Sequence, residues 1–336
     1  MCSVHCFCLK YAFNLSFNKS CTKMKKLLFV SALVALFTTG AMAQNQFSGY
    51  YFKAIGGLSL SAAKTEQPGI NSYEQLNPTS MQPLQVVEEG LYGSYGGGGK
   101  AGAAVGYMFN RIIGIEMGIN YFRSNSQLRE RREIELAGVP GNFLFEQHGY
   151  ARALALIPSL VLTTGNPARL SPYARFSFVV PVWGDLVIDT DINDAFGIVN
   201  SDLAGLTATY NRRDQIDPVK PQVGFEGAMG VNYPVSNTVS LFAEAEFRTL
   251  TVDGATRETT RFDVRVGDET IKTLTDFPVG VTQGNFQEKL THESNVAEFH
   301  DGTPNPDFDP NQPADELKPF ANINGFGFNF GLKVDF

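Results

Sequence analysis

The chain has 336 residues, with 27 Lys and Arg against 34 Asp and Glu, and a net charge of −7. Residues 1 to 43 hold five lysines and no acid or arginine, so residues 44 to 336 carry −12, a balance that disfavours nucleic acid as a partner. Thirty-three glycines, 12% aromatics and a single tryptophan argue against a helical enzyme and for many strands joined by short turns.

Near the start, Met24 is followed by Lys25 and Lys26, an apolar run over 27–37, and Ala41-Met42-Ala43. A basic segment, a short apolar segment and a small-x-small close are the parts of a signal peptide, here expected to be cleaved after Ala43. Residues 1–23 have no place in that order and read as a leader or spurious extension, leaving 44–336 as one exported domain. The apolar run is far shorter than the roughly 20 residues a membrane-spanning helix needs, and no later run reaches that length. Cys2, Cys6, Cys8 and Cys21 all precede Met24, so the exported part has no disulfide, no thiol nucleophile and no lipid-bearing cysteine.

Several segments then alternate with period two, which sends successive side chains to opposite faces of a strand. Residues 49–61 show the pattern weakly. At 100–109, Ala101, Ala103, Val105, Tyr107 and Phe109 share one face, and after the Asn110-Arg111 link Ile113, Ile115, Met117, Ile119 and Tyr121 share another. Residues 150–163 are a weaker member. At 172–182, Phe176, Phe178, Val180 and Val182 oppose Tyr173, Arg175 and Ser177; at 222–233, Phe225, Met229, Val231 and Tyr233 oppose Glu226 and Asn232. Past the 234–237 turn, Val239, Leu241, Ala243, Ala245 and Phe247 oppose Phe242, Glu244, Glu246 and Arg248. The last segment sets Phe326, Phe328, Phe330, Leu332, Val334 and Phe336 against Asn329, Lys333 and Asp335.

These are eight strands, each of about 10 residues or more, long enough to cross an outer membrane when tilted. Links near 110, 164–171 and 234–237 are short; those at 62–98, 123–149, 184–219 and 251–318 are long. Strict alternation is expected when turns face the periplasm and loops face outside. Gly96 to Gly99, Arg129 to Glu135 and 301–315 read as mobile, solvated loop. Residues 255–282 read as a further hairpin with a Gly267-Asp268 turn, too charged on both faces for lipid and so expected to rise above the membrane.

A soluble sandwich also alternates, so the sign of the alternation matters. Lys100, Glu116, Arg175, Glu226, Glu244, Glu246, Arg248 and Lys333 all fall on the less apolar face. In an eight-stranded barrel the interior is just wide enough for side chains to fill, so both signs of charge are expected to pair there as a lumen network. The opposite face is then expected to meet outer-membrane lipid, with Tyr107, Phe109, Tyr121 and Tyr233 at the interfaces. Closure removes the open sheet edge that hydrocarbon does not tolerate.

The signal segment, the alternating strands, the Pro172-Tyr173-Ala174-Arg175 strand start and the closing 325–336 segment together resemble the small outer-membrane β-barrels of the OmpA and OmpX type. The resemblance implies an all-β fold, a closed antiparallel transmembrane barrel with long extracellular loops. It also implies that terminal Phe336 is the signal read by the barrel assembly machinery. No peptidoglycan-binding domain is expected after the barrel, so no wall tether is implied.

Candidate chemistry is sparse. His148 and Ser159 raise a barrel-embedded lipid hydrolase, which needs Ser and His adjacent with an acid behind. No His-x-Ser or HExxH spacing occurs. Asp301, Asp307, Asp309, Asp315 and Glu316 raise a calcium site, but DxDxDG order is missing and an acidic solvated loop is the better reading. The sequence therefore predicts a non-enzymatic barrel with no cofactor or metal. Its role is structural or surface-binding, through loops that meet an unidentified extracellular ligand. A narrow porin is the first alternative and the hydrolase the second.

Overall fold

The computed structural model describes residues 49–62, 65–164, 170–298 and 302–336. The leader and signal segments expected over 1–43, like Asp301, lie outside these residues. Residues Gln46–Asp335 form one compact unit. In chain order its strands are β1 (Gly49–Ser61), β2 (Thr65–Leu76), β3 (Pro83–Gly93), β4 (Gly98–Met108), β5 (Ile113–Ser124) and β6 (Gln127–Leu136). There follow β7 (Asn142–Thr163), β8 (Ser171–Asp194), β9 (Ala208–Pro218), β10 (Gly224–Pro234), β11 (Val239–Thr249) and β12 (Thr251–Val266). The last five are β13 (Glu269–Lys272), β14 (Gln283–Gln287), β15 (Ala314–Leu317), β16 (Phe320–Asn322) and β17 (Gly325–Asp335).

Eight of these close on themselves. β1 pairs with β4, β4 with β5, β5 with β7 and β7 with β8; β8 pairs with β10, β10 with β11, β11 with β17, and β17 returns to β1, every pair antiparallel. These are the strands the alternation predicts. Stepping across the register from Tyr50 through Tyr107, Ile115, Leu160, Phe176, Gly227, Phe247 and Phe326 leads back to β1 at Leu60, ten residues further along. A stagger of that size over eight strands tilts them by roughly 40° to the axis.

Short links are fixed by side chains that accept from their own backbone. Asn110 Oδ1 takes the amides of Ile112 and Ile113, and Ser236 Oγ takes those of Thr238 and Val239. Much of each long link is built β-structure, which corrects the expectation of loop for Gly98–Gly99 and Arg129–Glu135, whereas 302–313 holds no strand. β7 and β8 run 22 and 24 residues, well past the barrel, and pair over Phe143–Tyr150 with Val187–Asp194. β6 joins the far side of β7, β9 the far side of β8, and β12 pairs with β9. The segment Arg129–Glu135 is part of β6, and Gly98 and Gly99 open β4. Within the 255–282 segment β12 turns into β13 as a hairpin through Gly267 at φ 57°, and past Lys272 the chain continues in two short helical turns, Leu274–Asp276 and Val279–Thr282.

Burial is inverted relative to a water-soluble protein. Large apolar side chains of the wall point outward and stay exposed, among them Leu58, Ile115, Phe176, Phe225, Met229, Phe247, Phe328 and Phe330. Charged side chains point into the bore and are buried. No helix among the described residues is long and apolar enough to cross a membrane.

Candidate functional site

The bore is filled in layers. Lys53, Lys100, Arg175 and Arg248 face Glu116, Glu226, Glu244 and Glu246, and all eight side chains are buried. Arg175 is the hub: its Nη2 donates to Glu244 Oε1 at 2.7 Å, and its Nη1 lies 2.9 Å from Glu226 Oε1 and donates to Ser177 Oγ at 3.0 Å. Lys53 pairs with Glu116 at 2.9 Å, and Lys100 pairs with Glu246. Asn329 Nδ2 bridges Glu244 and Glu246 at 2.8 and 2.7 Å, while the hydroxyls of Tyr51 and Tyr173 donate to Glu116 and Glu244 at 2.9 and 2.8 Å.

Two members are held by charge and ring faces rather than aligned hydrogen bonds. Neither Glu226 oxygen accepts a hydrogen bond among the described residues, and Arg248 lies 4.3 Å from the Phe122 ring centroid with Nε and Nη2 unpartnered. Four cations against four anions leave the layer neutral, the condition under which a buried ionic cluster is tolerable.

Seven of the eight lumen residues expected from the sequence meet in this layer. Lys333 does not join it: half-buried nearer the turn end, it pairs with Asp335 and sits 4.7 Å from the Tyr51 ring. Sequence reasoning missed Lys53, because Gly56-Gly57 blurs the alternation of β1. Register was the available signal, since Lys53 stands opposite Lys333 and Ala104 on the inward-facing rows.

Above the charges lies an apolar layer. Phe122, Ile157, Val179 and Leu250 from the wall pack with Tyr95, Ala321 and Ile323 from two links that cross the mouth. Those links hold each other: Tyr95 N donates to Asn322 O at 3.0 Å, Ser94 Oγ to the same oxygen at 3.2 Å, and Leu250 N to Asn324 Oδ1 at 2.8 Å.

Above that again, the extended strands wall a cavity of about 530 Å³. Cross-strand register arranges its main wall in rows. Gln147, Thr190, Arg212 and Phe262 stand directly opposite one another on β7, β8, β9 and β12. The row farther from the barrel reads Phe145, Ile192, Tyr210 and Val264; the row nearer it contains Ile188, Asp214 and Thr259. Arg129 from β6, Ile216 from β9, Arg257 from β12, and Phe286, Glu316, Leu317 and Pro319 complete the lining with Val199. Val199 is set there by fully buried Asp194, whose carboxylate accepts the amides of Phe196, Ile198 and Val199 at 3.1, 3.0 and 2.8 Å.

The cavity charges are unevenly paired. Arg212 Nε lies 2.9 Å from Asp214, and Arg257 reaches both Asp214 and Glu316. Among the described residues Arg129 donates only to neutral groups, Gln147 Oε1 at 3.1 Å and Tyr95 Oη at 3.0 Å.

Other candidates are not assembled. His148 points to the opposite face of β7 from Ser159, eleven residues away, which at about 3.3 Å per residue is some 36 Å. Ser159 instead meets Ser177 at 2.8 Å inside the bore. Asp309 and Asp315 accept from their own loop, Asp309 from the Asn311 amide and Asp315 from the Asn295 amide, and Glu316 is held by Arg257. No group of three or more His, Cys, Asp or Glu side chains arranged to hold a metal occurs among the described residues.

Comparison with curated proteins gives no significant match. Among solved structures, the chain matches outer membrane protein W of E. coli at 12% identity and a TM-score of 0.30, over 87% of this chain and 100% of that one. It also matches the outer membrane protease OmpT of Escherichia coli at 9% identity and a TM-score of 0.24, over 86% and 96%. The sequence profile of the outer membrane protein beta-barrel domain matches residues 29–282, about three quarters of the chain and all but the last of the eight wall strands. With the closed barrel and its inverted burial, that match makes this chain a member of the outer membrane protein beta-barrel domain family.

Proposed function

We propose that the protein is a sealed, non-enzymatic anchor in the bacterial outer membrane that carries a ligand-binding cup on its extracellular side. One observation carries this reading: a strand-walled cavity of about 530 Å³ stands over a bore filled by two successive layers, one ionic and one apolar. A cavity of that size is within the range of small-molecule sites. A bore so filled favours an anchor over a pore, and the separation of His148 from Ser159 weighs against the hydrolase. Export through a signal peptide cut after Ala43, and recognition of terminal Phe336 by the assembly machinery, belong to the same reading.

Single-channel conductance of the refolded chain from residue 44, in a planar bilayer with a boiled control, tests it. Silence from protein shown to be folded is the expected result. Reproducible unitary steps would make this a porin, with the interior carboxylates as its filter.

A further inference from the structure

Three features of the loop-end cavity bear on what it holds, given that it is a binding site. Its lining has three guanidinium groups, Arg129, Arg212 and Arg257, against two carboxylates, Asp214 and Glu316. Arg212 and Arg257 are committed to those two carboxylates, so one positive charge is left over. That charge belongs to Arg129, which has no acidic partner among the described residues and whose Nη2 makes no hydrogen bond there. The rest of the lining is amphipathic: Phe145, Ile192 and Phe262 offer apolar faces, and Gln147 and Thr190 stand beside the guanidinium as neutral polar neighbours.

We infer that the cavity binds a small organic monoanion with an apolar or aromatic body, its carboxylate, sulfonate or phosphate-ester group on Arg129 and its body against Phe145, Ile192 and Phe262. The inference rests on the reading of the cavity as a binding site and adds the chemistry of its ligand. A guanidinium with open donors is suited to a planar or tetrahedral oxyanion, and partial burial strengthens such a contact beyond its value at an open surface. The choice of an anion is not a reflection of the protein's overall charge, since residues 44–336 carry −12. A cationic site inside an acidic protein selects its ligand locally, against the long-range field.

The test uses two probes of nearly equal shape, naphthalene-2-carboxylate and 2-naphthalenemethanol. Each is titrated into the chain refolded in lipid nanodiscs, with empty nanodiscs subtracted, and bound probe is read by saturation-transfer NMR. The carboxylate is expected to bind at least tenfold tighter than the alcohol. Arg129→Gln is expected to erase that preference and Arg129→Lys to keep most of it. Arg132→Gln, which alters an exposed β6 arginine paired with Glu130, is expected to leave it unchanged. Equal binding of the two probes, or a preference that survives Arg129→Gln in protein whose barrel still shows its folded gel mobility, overturns the anion assignment while leaving the cavity a binding site. Binding of neither probe to folded protein overturns both the assignment and the reading beneath it.

Discussion

Arg175 on β8 and Glu244 on β11 meet inside the barrel with 2.7 Å between Nη2 and Oε1, both side chains almost wholly closed off from solvent. The two strands are not neighbours; β10 lies between them. The contact therefore spans the bore wall through its interior and ties together strands that share no backbone bond. Around it, Glu226, Glu246 and Glu116 lie within 4.0 Å of the same guanidinium.

Removing that guanidinium leaves several carboxylates facing one another in a site closed to water. Breaking a buried ionic cluster from one side costs about 3–5 kcal/mol, far more than an exposed pair. Arg175→Met is expected to lower the urea midpoint of the refolded barrel strongly, whereas Lys318→Met, at an exposed pair with Glu288, is expected to move it little. Urea titration followed by gel mobility checks this, and equal midpoints would mean the network contributes nothing to stability.

The outward face makes the opposite demand. Met229 sits midway along β10 and is 74% exposed, whereas Val235 lies in the turn beyond that strand. A cationic side chain on the lipid face costs roughly 2–4 kcal/mol at the bilayer midplane and about 0–1 near the interface. Met229→Arg is therefore expected to destabilise the barrel in vesicles by several times as much as Val235→Arg. The same measurement in detergent micelles, which deform around a charge more readily, is expected to shrink the gap.

Gly106 is held to glycine by a close approach. A Cβ on Gly106 would lie 2.1 Å from Tyr51 Cζ, well inside van der Waals contact, and Tyr51 cannot withdraw without giving up its bond to Glu116. Gly106→Val is expected to reduce the folded yield, an overpacking cost of roughly 1–3 kcal/mol. Gly227→Ala, where nothing lies within 4 Å of the new carbon, is expected to be silent. Adding Tyr51→Leu to Gly106→Val should recover part of the loss if the clash is its cause.

The wall was legible because a strand's faces follow directly from period two. Phe326, Phe328 and Phe330 against Asn329 needs no tertiary knowledge to read. Lys53 was less legible, hidden by two adjacent glycines, and Lys333, expected in the lumen charge network, pairs with Asp335 outside the buried charge layer. The upper halves of β7 and β8 were not legible as strand. There Leu186, Val187 and Ile188 are buried in succession, so the alternation disappears where the sheet is covered on both sides. The cavity was invisible for a further reason: Gln147, Thr190, Arg212 and Phe262 are scattered over more than a hundred residues and become one row only through cross-strand register.

The end of the chain offers a prediction about assembly rather than stability. If terminal Phe336 is the residue that the assembly machinery reads, deleting it is expected to lower outer-membrane levels far more than deleting 303–313, which lies in the long link between β14 and β15. Outer-membrane fractionation decides this, and equal levels of the two variants would remove Phe336 from that role.

That same link contains a pH-sensitive turn. Asp309 Oδ1 accepts the Asn311 amide at 2.9 Å and its Oδ2 accepts Gln312 Nε2 at 2.8 Å, and these two bonds, the backbone one first, hold its carboxyl below the usual aspartate range. Asp276 is lowered in the same way by the Thr273 amide and hydroxyl. A carboxyl whose pKa is depressed on folding stabilises the turn at pH above its ordinary value of about 4, and that contribution is lost as pH falls through the lower folded value. Acidification below about pH 4 is therefore expected to speed amide exchange at Asn311 relative to the wall strands, while the barrel keeps its folded mobility. In Asp309→Asn the Asn311 amide should exchange with no such acid dependence beyond intrinsic chemistry. An unchanged acid response in that variant would mean another group controls the turn.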